Sequence, residues 1–286
     1  MTQAVSDHFE IYTTLDAAAA KAAAVHFEAA RAFLLKSFNS ADPFPQAVQI
    51  VAYKSSGEFR SHLPARVESE HGYSKIDGDS ISIVVDGFKT YEYGVREYVN
   101  ILLARTAPQL PYWLRMGMRE FYCTLETKPD QIVLGREPFM GQRPDESAAK
   151  SVDATTFLSL LFGLKPGDGW GDSADAVRSR GKYIALGGFD STLHAPLDIS
   201  YRIAALHLVR LLMLNPTYSP KFGAFVSALA GGAASTAALN DVYGQSLADL
   251  ATNLSLERAR PSHAVVTLKS PSPVMAEPKI GQVPAR

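Results

Sequence analysis

The residues in this chain best placed to do chemistry together are Arg96, Glu97 and Asn100, followed by Met116 and Glu120. Val95, Tyr98, Val99 and Leu102 recur at helical spacing, so residues 91–105 are predicted to form a helix with one apolar face. On such a helix Arg96 and Asn100, four apart, stand one above the other, with Glu97 beside them. That spacing is the one by which a helix offers two side chains to a single ion and a carboxylate to a water. The residue types do not suit a metal. Arg offers no lone pair, and Asn and Met are poor zinc ligands. By composition alone, the five residues 96–100 also fit an ordinary solvated helix face.

The other candidates are thinner. The seven histidines include no pair at i,i+3 or i,i+4. His26 and His207 fall within helical patterns, where a hydrogen-bonded structural role is the better reading. His62 and His71 flank a loop from which they could approach a groove. Asp190, Ser191 and His194 are close in sequence, but a catalytic triad needs closeness in space. Residues 180–183 lack the glycine and Ser/Thr of a phosphate loop. Cys123 is the one cysteine, so no intrachain disulfide forms, and beside Phe121, Tyr122 and Leu125 it reads as a small buried hydrophobe.

The segment Leu110-Pro111-Tyr112-Trp113-Leu114-Arg115-Met116-Gly117-Met118-Arg119-Glu120-Phe121-Tyr122 changes the weight of the Arg96 string. It resembles the L-P-x-W-L-x-E-G-x-A-E-[FY]-[FY] segment of gluzincin zinc peptidases, in particular the bacterial peptidase-MA-like domains often found beside helical repeats. Arg96 to Asn100 then stands where such a protein carries H-E-x-x-H, in which two His hold zinc and the Glu is general base. Met116 stands where the third ligand would be, while Glu97, Gly117 and Glu120 match. Weaker similarity runs over about residues 8–260, through the opening strand and helix, residues 131–136, and the closing helices.

The resemblance implies a pseudopeptidase: a metallopeptidase-like domain with all three zinc ligands replaced, retained for binding a peptide or protein or for a structural role. No cofactor and no stoichiometric zinc is expected anywhere in the chain, and no catalytic residue at Arg96, Glu97, Asn100, Met116 or Glu120. Zinc lowers the pKa of bound water by nearly nine units, worth about 12 kcal/mol, which Glu97 alone cannot replace. Arg96 is expected to pair with Glu97 or Glu120 in a partly buried pocket. A ligand groove is expected along the edge of residues 80–86, lined by Ile81, Ile83, Tyr93 and Trp113, with loop 165–175 as a candidate plug. The competing readings are a hydrolase with a rearranged site, and a purely architectural domain beside helical repeats in a longer parent.

The elements that must position these residues are an opening strand (8–14), a helix from Asp16 to Phe38, strands at 48–53 and 81–85, a short helix at 56–63, and two helices at 91–105 and 111–125. A short strand at 131–135 follows. Helices are predicted at 154–162, 199–214, 220–229, 236–242 and 246–256. The fold class is therefore α+β and gluzincin-like, an N-terminal mixed sheet with helices followed by a mainly helical half. Three regions are expected: 1–140 with the motif helices, 141–260 helical, and a Pro-bearing tail or linker at 261–286.

The 286 residues suffice for a substantial core, and the 47% hydrophobic and 20% charged content is that of an ordinary globular chain. A net charge of -1 with no clustered basic stripe speaks against nucleic acid as partner. No apolar run reaches membrane-spanning length. The first residues lack signal-peptide character, so an extracytoplasmic location would require a leader removed beforehand.

Overall fold

The computed structural model describes residues 1–63, 71–138, 154–163, 194–260, 263, 265–269 and 276–283. It is a mixed α/β protein built around a six-stranded mixed sheet, and its contacts divide it into two units. The first comprises Met1–Thr106, Tyr122–Gly135 and Val265–Arg286; the second comprises Ala107–Phe121 and Arg136–Ala264.

In the first unit, β1 (Thr2–Val5), β2 (Phe9–Thr13), β3 (Val48–Ala52), β4 (Gly72–Asp77), β5 (Ser80–Val85) and β9 (Lys279–Gln282) form a sheet in the order β4-β5-β3-β2-β1-β9. Strands β2, β3 and β5 run parallel, while β4, β1 and β9 each pair antiparallel with a neighbour. The period-2 alternation of apolar residues puts Ile11, Ile50 and Ile83 in one row across the parallel strands, all completely buried. Helix α1 (Ala17–Ser37) covers β1 and β2. Its Ala-rich sequence favours helix, and the Asp16 carboxylate accepts from the Ala19 amide at 2.8 Å to cap it. After the short α2 (Ser56–Ser61), helix α3 (Glu92–Thr106) packs on β4, β5 and α1. The contact with α1 is close: a Cβ on Gly94 would lie 2.6 Å from the Phe27 ring. A second sheet joins β6 (Glu126–Lys128), β7 (Gln131–Leu134) and β8 (Val266–Lys269), all antiparallel.

The second unit is helical among its described residues: α4 (Tyr112–Tyr122, of which the first ten residues belong here), α5 (Ala154–Gly163), α6 (His194–Leu214), a 3-10 turn at Ser219–Lys221, α7 (Phe222–Ala230), α8 (Ser235–Tyr243) and α9 (Leu247–Arg258). A Ser246/Asp249 capping box opens α9, which packs against α5 and α6.

Two expectations are corrected. Residues 266–269 and 279–282, read as part of a linker, are strands that close an edge of each sheet. Each stretch is only four residues long and lies in a Pro-bearing segment, and partners far away in sequence supply its hydrogen bonds. The regions also are not consecutive: the chain leaves the first unit after Thr106, returns at Tyr122, leaves again after Gly135 and returns at Val265. Loop 165–175, residues 180–183, Asp190 and Ser191 lie outside the described residues. No helix among the described residues is long and apolar enough to cross a membrane.

Candidate functional site

Helix α3 lies against the antiparallel edge strand β4, and this packing sets the surroundings of the Arg96 string. Arg96 is buried, 7% exposed, with Nη2 3.7 Å from Cys123 Sγ and its guanidinium carbon 5.3 Å from the centre of the Tyr93 ring. Glu97 is half-buried and accepts a hydrogen bond of 2.8 Å from Ser74 Oγ on β4. Asn100, one turn beyond Arg96, is exposed. Tyr93 stacks on His71 at 4.5 Å; His71 Nδ1 lies 2.8 Å from Asp86 Oδ2, which also accepts from Ser56 Oγ at 2.9 Å. His71 thus reaches this cluster, whereas His62 stacks on Tyr53. Arg96 is buried where the composition also allowed a solvated face, and Cys123 is buried beside it.

Within the second unit, α4 carries Met116, 3% exposed, and Glu120, completely buried. Glu120 Oε1 accepts from Arg119 Nε and Nη2 at 3.1 and 2.9 Å and from Arg202 Nε at 3.0 Å. Gly117 is where α4 meets α6: a Cβ there would lie 2.4 Å from the Ala205 carbonyl oxygen and 2.5 Å from Val209 Cγ2. The Gly of the motif therefore has a packing reason of its own.

The expected ligand groove is not formed as read. β5 is interior, paired with β3 on one edge and β4 on the other, so it has no edge to offer a peptide. Ile81 and Ile83 point into the core at 2% and 0% exposure. Trp113 is completely buried, its ring against Phe162 and Phe225 and its Nε1 donating to Ser235 Oγ at 3.0 Å. Of the four residues assigned to the groove, Tyr93 alone is partly accessible. The error lies in strand β4: GYSKID is too polar to read as a strand, and without it β5 looks like an edge.

A second polar cluster, which the sequence did not disclose, brings Glu137, His207 and His263 together. His263 Nε2 lies 3.3 Å from Glu137 Oε1, and the two imidazole rings are 4.8 Å apart. Arg210, 1% exposed, donates from Nη1 to Glu137 Oε1 at 2.8 Å, and that nitrogen lies 3.4 Å from His207 Nδ1. Burial, aided by Arg210 and His263, depresses the His207 pKa to about 3. Burial opposes ionisation of Glu137, but the Arg210 hydrogen bond and charge outweigh it and hold the carboxyl below its ordinary range. Separations of about 70 and 56 residues between the members left no local pattern to find.

No family model, no curated protein and no solved structure matches this chain.

Proposed function

We propose that the chain is a non-catalytic, gluzincin-like domain, a pseudopeptidase that binds an extended peptide or protein segment along the β4 edge. The observation that carries the reading is the Ser74–Glu97 hydrogen bond, which ties the one residual catalytic-type residue of the motif to an antiparallel edge strand. A peptidase of this kind needs three zinc ligands around that carboxylate. Position 96 instead holds a buried guanidinium, position 100 an exposed amide and position 116 a buried thioether. Glu97 has no metal-bound water to activate, and the motif keeps only its scaffold.

Among the described residues β4 pairs on one side only, with β5, and an extended segment added to its other side draws affinity from main-chain hydrogen bonds. Strand β9 is also an edge, but it lies at the far side of the sheet from α3. The chemical class of ligand is thus a peptide in extended conformation, either free or as part of a partner protein.

Amide-shift mapping with a library of extended peptides tests the proposal. Perturbations should centre on residues 72–77 and reach Tyr93 and Glu97, with the peptides left uncut. Perturbations elsewhere, or none, would leave the architectural reading. Cleavage abolished by Glu97→Gln would establish a hydrolase instead.

A further inference from the structure

We propose that Glu137, His207 and His263 form a binding site for a divalent transition metal of the zinc class, sharing no residue with the motif on α3 and α4. The three come from separate parts of the second unit: the chain three residues beyond β7, the middle of α6, and the segment after α9. Their donor atoms all lie within 4.8 Å of one another. Zinc bonds of about 2.0–2.1 Å in a tetrahedron put ligand atoms about 3.4 Å apart. The Glu137–His263 pair, at 3.3 Å, already stands at that separation, and side-chain rotation can close the remainder. Two imidazole nitrogens with one carboxylate suit zinc and its neighbours rather than calcium or magnesium, which prefer all-oxygen shells.

The surroundings are those that metal ligands need. Glu257, 4% exposed, lies 3.4 Å from His263 Nδ1 and so turns Nε2 toward Glu137. Arg210 Nη1 donates to Glu137 Oε1, the oxygen that faces His263, so an ion either shares that oxygen with Arg210 or takes Oε2 after the carboxylate turns. Partners of this sort fix the orientation of ligating imidazoles and carboxylates. Glu137 is half-exposed, which gives an ion a way in, and three protein ligands leave a fourth position for water or a ligand atom. Arg210 opposes the charge of the ion and makes the site weaker than a closed structural zinc site. Unlike Arg96, which takes a ligand's position, Arg210 leaves all three candidate ligands in place while contacting two of them.

Equilibrium dialysis of the full chain against zinc, with metal read by elemental analysis, decides the matter. The chain should bind one zinc, and zinc should raise its unfolding midpoint. His263→Ala and Glu137→Gln should each weaken binding at least about 10-fold and remove the thermal shift. His263 lies outside the helices and Glu137→Gln keeps an acceptor for Arg210, so both variants should retain the parent's circular dichroism spectrum. No zinc uptake by the parent, or uptake that both variants leave unchanged, would overturn the assignment. Neither outcome bears on peptide binding at β4, which is read separately.

Discussion

Glu120 and His26 show how buried polar residues set the stability of each unit. Glu120 is completely enclosed and held by two guanidiniums, so Glu120→Ala leaves Arg119 and Arg202 without their shared carboxylate. Removing one partner of a buried ionic group costs about 3–5 kcal/mol, against about 0–1 for a surface pair. Urea denaturation should return the larger figure; the smaller would mean that the pairing is solvent-screened. His26 stacks on Tyr91 at 4.0 Å, and burial pulls its pKa down from 6.5 to about 3. The folded chain keeps it neutral while the unfolded chain takes a proton. Stability is therefore full above about pH 6.5 and falls toward about pH 3, by up to about 1.4 kcal/mol per pH unit for this residue. His26→Gln should flatten the dependence between about pH 7 and about pH 5. An unchanged slope would show that His26 does not contribute to it.

The helices were the most legible elements, because their apolar periodicity and caps are local. The sequence predicts one helix from Asp16 to Phe38, and Ala17–Ser37 is observed with Asp16 as its cap. Strands β2, β3, β5 and β7 were legible from β-branched runs. β1, β4, β8 and β9 were not: β4 is polar, although the Gly78-Asp79 turn joins it directly to β5, β1 is only four residues long, and β8 and β9 pair with strands far away in sequence. That gap had a functional consequence, since the missing β4 moved the expected peptide edge one strand inward. The role of Gly117 was also hidden: its place in the motif was plain, but the close approach of α6 was not. Gly117→Ala puts a methyl against the Ala205 carbonyl and should cost about 1–3 kcal/mol. Gly223→Ala on α7 has open space around the new methyl and should gain about 0.4–1 kcal/mol. Thermal melts of the two variants should move in opposite directions; a shift of the same sign would contradict the helix packing.

On the scale of the whole molecule, the motif is distributed over both units. Two of its features have independent structural reasons: Gly117 in the packing of α4 on α6, and Glu120 in the ion cluster of the second unit. Arg96 and Glu97 belong to the first unit, between which and the second the chain passes four times. Such packing roles explain the residues without requiring that a metal was ever held, so the resemblance needs a test of its own. Restoring the ligands provides it. The variant Arg96→His, Asn100→His and Met116→Glu, made in a His263→Ala background to silence the other proposed site, would carry the two imidazoles and the carboxylate of the complete zinc-peptidase motif. Its zinc affinity is to be compared with that of His263→Ala alone. The restored variant, folded by circular dichroism, should take up one zinc at least about 100-fold more tightly than its background. A folded variant with no gain in zinc affinity would contradict the proposed kinship with zinc peptidases.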